Sequence, residues 1–127
     1  MKKILSLMLL TLLVSCSSMQ QVKEVIFSAP YDPHEYTLIT KIRTESTFMS
    51  CSKDEVTNLY RDALELKNTS QYIPHNEKIA EVTNEFLTMV DELYKKDKPG
   101  DVYCKAKLSV ISYNAEKLQK TIGGKSR

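Results

Sequence analysis

Three cysteines are the residues of this 127-residue chain with the clearest chemistry: Cys16, Cys51 and Cys104. A thiol can be acylated or can join a second thiol in a disulfide, and the positions of these three favour different uses. Cys16 closes an N-terminal segment in which two lysines precede the mostly apolar residues 4–13. A basic start, about ten apolar residues and a small residue before the cut are the three regions of a secretory signal. Cys16 therefore stands where such a signal would be cleaved.

Residues Leu13-Val14-Ser15-Cys16 resemble the lipobox of bacterial or phage-encoded lipoprotein precursors, and this resemblance covers residues 1–17 only. In that family a signal peptidase cuts just before a cysteine that has received a diacylglyceryl group. The resemblance implies a signal peptide of residues 1–15 and a mature chain held in the membrane by acylated Cys16, which usually also carries an amide-linked acyl chain such as palmitate. Because Ser17 rather than aspartate follows, the resemblance points to the inner leaflet of the outer membrane, facing the periplasm.

Two other interpretations of this segment stay open. It could be an ordinary secretory signal with a coincidental cysteine, or an uncleaved anchor helix. A bilayer core of roughly 30 Å needs about 20 apolar residues in a helix, and the chain turns polar after Leu13. The apolar run is therefore too short to span the membrane, which favours the lipobox.

Cys51 and Cys104 are left as a pair once Cys16 carries lipid. Disulfides persist in extracytoplasmic compartments, so we predict a bridge between these two residues. In the chain-entropy model a loop of this length stabilises the fold by about 4 kcal/mol. The alternative is two unpaired buried thiols.

No catalytic or metal-binding pattern accompanies the thiols. His34 and His75 each follow a proline and lack a partner at the spacing of a zinc or general-base site. The segment Gly123-Gly124-Lys125-Ser126 lacks the first glycine of a phosphate-binding loop, and no helix can follow it. The remaining acidic candidates lie amid lysines on what we expect to be a solvated helix face: Glu81, Glu85, Asp91 and Glu92. We therefore predict a protein that is not an enzyme and that uses no cofactor and no metal.

Charge balance also restricts the class of partner. The chain has 18 Lys+Arg and 16 Asp+Glu, and removal of the signal with its two lysines leaves 16 of each. A nucleic acid or an anionic surface needs clustered positive charge, which this composition does not indicate. We therefore expect no nucleic-acid partner, and expect a protein of the envelope instead.

Two capping patterns predict the first two helices. Asp32-Pro33-His34-Glu35 combines an N-cap acid with a proline at the first helical position, and this helix should end near Met49. Ser52-Lys53-Asp54-Glu55 is a capping box, and its helix should weaken in the polar run 68–71 and end at Ile73-Pro74. The predicted buried faces are Tyr36, Ile39, Ile42 or Arg43, and Thr47 with Phe48 in the first helix, and Val56, Leu59, Tyr60, Ala63 and Leu66 or Lys67 in the second.

Two further helices follow. Asn76 is the predicted N-cap of the third, which should run from Glu77 to about Lys96, and Asp101 is the predicted cap of the fourth, which Gly123-Gly124 should end. We expect the tail 125–127 to be frayed. The predicted buried faces are Ile79, Val82 or Thr83, Phe86, Met89 or Val90, and Leu93 in the third helix, and Cys104, Leu108, Ile111, Ala115, Leu118 and Ile122 in the fourth.

Four amphipathic helices joined by short loops predict an all-α, antiparallel four-helix bundle with an up-down-up-down path. In that path the first and third connections lie at the same end, which would bring Cys51 and Cys104 together. The predicted organisation is a signal peptide at 1–15, a lipidated leash at 16–31 and a helical domain at 32–127. The apolar stretch 22–27 could be a strand, a linker or a packed segment.

Tyrosines are the remaining candidates for a binding surface. Tyr36, Tyr60 and Tyr113 fall at apolar helical positions and should lie at the rim of the core. Tyr72 and Ile73 should lie in a loop opposite the disulfide, where an exposed aromatic side chain could anchor a partner. Core packing is the competing interpretation for Tyr72.

The leading functional hypothesis is a non-enzymatic outer-membrane lipoprotein whose helical bundle binds another envelope protein. One alternative is a phage lipoprotein that acts in lysis like a spanin subunit or blocks a receptor, although the proline-rich composition and long heptad array of spanins are missing. Another alternative is an inhibitor or immunity lipoprotein of a periplasmic hydrolase, with 68–76 as its protruding loop.

Overall fold

The structure, a computed structural model, describes residues 29–126 and contains four α-helices in this range. They are α1 (Pro33–Phe48), α2 (Lys53–Tyr72), α3 (Glu77–Lys95) and α4 (Asp101–Gly123). Helix α1 packs against α2 and α4, and α3 also packs against α2 and α4. The prediction of an all-α four-helix bundle is confirmed.

Side-chain caps start the first two helices as predicted. The Asp32 carboxylate accepts a hydrogen bond from the Glu35 backbone N–H at 2.9 Å, and the Ser52 hydroxyl accepts one from the Glu55 N–H at 3.3 Å. The other two helices differ in detail. Asn76 occupies the N-cap position of α3 without capping through its side chain, and Gly100 rather than Asp101 is the N-cap of α4.

The buried faces of the helices meet in one core. All six residues of the predicted α4 face are buried: Cys104, Leu108, Ile111, Ala115, Leu118 and Ile122. In α1 the prediction for Thr47 and Phe48 is wrong, because Ser46 is buried instead and Phe48 is 81% exposed. Each residue of an α-helix is rotated by about 100° from the one before it. Phe48, two residues after Ser46, therefore lies on the opposite side of α1.

Two of the three rim tyrosines also agree with the prediction. Tyr36 and Tyr60 pack against the core while remaining partly exposed. Tyr113 is 58% exposed, and its ring instead lies under the ammonium of Lys117, 4.4 Å from the ring centroid. Its place two residues after buried Ile111 turns it to the solvent side of α4.

Side-chain contacts between helices pair residues in opposite chain order. From α1 to α4, Thr40 contacts Gln119 and Thr47 contacts Ser112, at 2.9 and 2.8 Å. From α3 to α4, the Lys107 ammonium donates to Glu92 and the Asn114 amide contacts the Met89 sulfur. The up-down-up-down path stays a prediction, which this order of contacts supports.

Helix α2 continues through the segment that was expected to weaken it. Residues 68–71 are helical, and only 73–76 join α2 to α3. The prediction that the helix weakens in the polar run 68–71 is therefore wrong, and so is the prediction of a protruding loop at 68–76. Ser70 is fully buried and its hydroxyl donates to the carboxylate of Glu35 at 2.7 Å. This tertiary contact compensates for the low helix propensity of serine.

The two ends of the described chain lie side by side. The Tyr31 N–H donates to the Ser126 carbonyl at 2.9 Å, and Ala29 is fully buried. Lys125 is 3% exposed, so the prediction of a frayed tail is wrong for residues 125 and 126. We call this the entry end of the bundle, because the preceding residues, including Cys16 and the stretch 22–27, join the body here. Those residues lie outside the described range.

Candidate functional site

The predicted disulfide is present. It joins Cys51, in the connection between α1 and α2, to Cys104 in the first turn of α4, across 53 positions of sequence. The connection between α3 and α4 lies at the same end of the bundle, which we call the disulfide end. A 20-residue helix such as α2 is about 30 Å long, so this distance separates the disulfide end from the entry end.

Tyr72 and Ile73 lie at the entry end. Tyr72 is the last residue of α2 rather than a loop residue, and its side chain is 86% exposed, whereas Ile73 is half-buried. The tyrosine borders an open depression of about 380 Å³ on the outer face of α2, whose other lining residues are Arg61, Leu64, Glu65, Asn68 and Thr69. The exposure required for a partner contact is therefore available at Tyr72, and core packing is not its role.

A buried polar network also occupies the entry end. The Glu35 carboxylate, at 0% exposure, accepts hydrogen bonds from Ser70 Oγ at 2.7 Å, from Asn76 Nδ2 at 2.8 Å and from the ammonium of Lys125. The Lys125 ammonium also donates to Asn76 Oδ1 at 2.6 Å. The start of α1, the end of α2, the N-cap position of α3 and the segment after α4 each contribute one member of the network. Ser126, the residue after Lys125, accepts the hydrogen bond from the Tyr31 N–H, so the network lies close in sequence to the point where the preceding chain meets the bundle.

Sequence reasoning did not identify this network. The sequence indicates Glu35 only as part of a capping pattern, Asn76 only as a cap and Lys125 only as part of a frayed tail. The available signal was the position of Glu35, four residues before buried Ile39 and therefore on the core face of α1. Nothing local to Lys125 indicates that it pairs with a residue 90 positions earlier.

The disulfide end carries a pocket of about 430 Å³ between the start of α2 and the end of α3. Its apolar side consists of the Cys51 end of the disulfide, Val56, Leu93 and the ring of Tyr94, and its charged side consists of Lys53, Lys96, Asp97 and Lys98, with Pro99 beside them. We call this the disulfide-end pocket. Val56 and Leu93 are buried, and the Tyr94 ring, 40% exposed, stacks on Tyr60 at 4.3 Å. The pocket thus has a fixed apolar floor and a charged rim.

The lysines of this rim differ in their contacts. The Lys96 ammonium lies 4.2 Å from the centroid of the Tyr103 ring. Within residues 29–126, neither Lys53 nor Lys98 forms an ion pair. Lys98 has a φ of 50°, a left-handed backbone conformation that is uncommon for a residue other than glycine. Three lysines against one aspartate give the pocket a net positive charge.

A second apolar surface lies between α3 and α4. This groove, of about 260 Å³, is lined by Ile79, Val82, Glu85, Phe86, Met89, Asn114, Lys117, Leu118 and Thr121. Val82 is 42% exposed there. One glutamate and one lysine balance its charge, so the groove favours neither anionic nor cationic partners.

A carboxyl pair, Glu45 and Asp62, connects α1 and α2. Burial, followed by the hydrogen bond with Asp62 and the charge of Asp62, raises the pKa of Glu45 to about 7, against its ordinary value of 4.5. Lys41 opposes this effect and donates to Asp62 Oδ1 at 3.2 Å, and the same contact raises the pKa of Lys41. Glu45 Oε2 and Asp62 Oδ2 are both buried, and the Lys41 ammonium lies 3.2 Å from Asp62 Oδ2. A proton on Glu45 would supply the hydrogen bond between the two carboxyl groups that raises its pKa.

The two histidines do not form a site. His34 is exposed and its Nε2 lies 3.1 Å from Glu65, and His75 is exposed in the connection between α2 and α3. From residue 29 to residue 126, no three His, Cys, Asp or Glu side chains are grouped so that they could hold a metal ion. Among these same residues, none of the four helices has the length and apolar character needed to cross a membrane.

Comparison with known proteins adds no further identification. The chain matches no protein-family model, no curated protein and no solved structure.

Proposed function

We propose that this protein is a non-enzymatic outer-membrane lipoprotein, anchored through acylated Cys16, whose helical bundle faces the periplasm and binds another envelope protein. The single observation that carries the proposal is the sequence Leu13-Val14-Ser15-Cys16 at the end of a short apolar run. Two acyl chains are enough for stable anchoring, because each buried methylene contributes about 0.8 kcal/mol.

The bundle geometry supports a tethered role. The chain joins the body at one end, and covalent geometry limits the residues between Cys16 and Ala29 to a span of at most about 45 Å. The disulfide end lies about 30 Å farther along the helices, on the side opposite the attachment. A protein held in this way presents that end to partners in the aqueous compartment.

The proposed mechanism is confinement. A membrane anchor raises the effective concentration of the bundle against other proteins of the same surface, so that an interface of modest affinity is sufficient. A folded body with exposed aromatic and charged side chains and a disulfide suited to an oxidising compartment meets this requirement.

The test is the fate of the full-length chain in a double-membraned bacterium. The wild-type protein should fractionate with the outer membrane and be shielded from protease in intact cells, and Cys16→Ala should leave an unlipidated precursor that no longer fractionates there. Cys51→Ala is the matched control, because it also removes a thiol but leaves the anchor. Outer-membrane fractionation of Cys16→Ala identical to that of the wild type would contradict the proposal.

A further inference from the structure

We propose that the disulfide-end pocket binds an acidic segment of a partner protein, which inserts one large apolar side chain between α2 and α3. This inference rests on the proposed function and specifies its partner. It assigns the recognition of carboxylates to Lys53 and Lys98 and the recognition of the apolar side chain to the pocket floor.

The charge of the rim selects an acidic segment. Lys53, Lys96 and Lys98 face a pocket that contains one carboxylate, that of Asp97. Because Lys53 and Lys98 form no ion pair within residues 29–126, partner carboxylates would not have to displace an existing one. Complementary charge of this kind mainly contributes specificity and association rate.

The floor of the pocket selects an apolar side chain. Val56 and Leu93 are 5% and 1% exposed, and the partly exposed Tyr94 ring forms one wall. A volume of about 430 Å³ lies in the range of roughly 300–1,000 Å³ typical of ligand pockets, so it has room for one aromatic side chain. Aromatic anchors in such pockets often carry a large share of the binding energy.

The pocket is held in shape before a partner arrives. The disulfide fixes Cys51 against α4, and the stack of Tyr60 on Tyr94 fixes the wall between α2 and α3, with the ring planes 11° apart. Binding to a preformed pocket avoids the entropy cost of ordering its side chains.

Neither the groove between α3 and α4 nor the depression beside Tyr72 has the same excess of positive charge. Glu85 and Lys117 balance each other in the groove between α3 and α4, and Arg61 and Glu65 do so in the depression beside Tyr72. The disulfide-end pocket therefore differs from these two surfaces in its net positive charge, which favours an acidic partner. An extended polyanion such as nucleic acid would need a longer basic surface than one pocket rim.

The test uses the acylated mature protein in nonionic detergent and a short fluorescein-labelled peptide with a central Phe flanked by Glu residues. Fluorescence anisotropy should show binding with a Kd of about 100 µM or tighter, weakened by added salt. Lys53→Glu with Lys98→Glu should weaken binding about tenfold or more. The matched control, Lys67→Glu with Lys120→Glu, makes the same change of net charge near the entry end and should change Kd less than about twofold.

Peptide variants and a milder substitution complete the design. Peptides with Lys in place of Glu, or Ser in place of Phe, should bind at least about tenfold more weakly. If the charge-reversed protein fails to fold, Lys53→Gln with Lys98→Gln should still weaken binding about threefold or more. Absence of wild-type binding, equal weakening in the control pair, or equal binding of the Lys-flanked peptide would overturn the inference.

A cross-linking experiment separates this inference from the proposed function. A photoreactive phenylalanine analogue is placed at Tyr94 or at Tyr72 of the anchored protein in cells. The inference would be supported if the analogue at position 94 cross-links to an envelope protein and if Lys53→Glu with Lys98→Glu abolishes that cross-link. A partner obtained from Tyr72 but not from Tyr94 would overturn the pocket while leaving the proposed function intact.

Discussion

Replacement of Lys125 by Met is the sharpest test of the entry-end network. The side chains of Lys125 and Glu35 are both 0% exposed and form an ion pair, and the lysine also donates to Asn76. Methionine keeps much of the apolar stem but removes the ammonium group, which leaves the Glu35 carboxylate buried with two neutral donors, Ser70 and Asn76. Removing one partner of a buried pair costs about 3–5 kcal/mol. This is a large fraction of the roughly 5–15 kcal/mol that stabilises a typical domain.

Thermal and urea unfolding followed by circular dichroism measure this effect. For a domain of this size, Lys125→Met should lower Tm by at least about 10 °C. Lys120→Met is the matched control, because its side chain is 75% exposed, and it should change the free energy of unfolding by less than about 0.5 kcal/mol. The double variant Glu35→Leu with Lys125→Met should be less destabilised than Lys125→Met alone, since no unpaired charge stays buried. Equal Tm values for Lys125→Met and Lys120→Met would refute a structural role for the network.

Three further predictions concern stability. Glu45 has a folded-state pKa of about 7 against an ordinary 4.5, so the folded state holds its proton more tightly and stability should fall as pH rises between these values. Urea titrations at pH 5 and pH 8 measure this effect. Between these pH values the free energy of unfolding of the wild type should fall by about 1–2 kcal/mol more than that of Glu45→Gln, a figure reduced for solvent screening because the Glu45 side chain is 28% exposed. An equal change in the two proteins would contradict the raised pKa. Cys51→Ala should lower stability by about 4 kcal/mol, the chain-entropy value for a 53-residue separation, and unchanged mobility on a nonreducing gel would count against the bridge. Ile111→Ala should cost about 2–5 kcal/mol while Phe48→Ala changes stability by less than about 0.5 kcal/mol, and similar Tm values for the two would contradict the assignment of the core face.

The parts of the fold that depend on local sequence were predictable. Asp32 and Ser52 indicate the starts of α1 and α2 in the sequence. Each cap binds a backbone N–H only three residues later, so the local sequence contains both partners. The α4 stripe was predicted completely because its gaps of three and four keep the helical period from Cys104 to Ile122. The pairing of Cys51 with Cys104 was predictable because two helices lie between them. In the predicted up-down-up-down path, two helices return the chain to the same end of the bundle.

Contacts between distant parts of the chain were not predictable in the same way. Serine and asparagine near a helix end usually indicate a loop or a cap, yet Ser70 and Asn76 bind the buried Glu35 carboxylate. Lys125 follows two glycines that end α4, and only the assembled bundle brings it to Glu35. The disulfide-end pocket depends on how α2 and α3 pack, so its lining residues become apparent only in the structure.

The most direct test of the central claim is mass spectrometry of the intact protein purified from bacterial membranes. Acylation before cleavage at the lipobox predicts a chain that begins at Cys16 and carries a diacylglyceryl group together with an amide-linked acyl chain. A chain that begins at any other residue, or that begins at Cys16 without a fatty adduct, would contradict the membrane-anchored function.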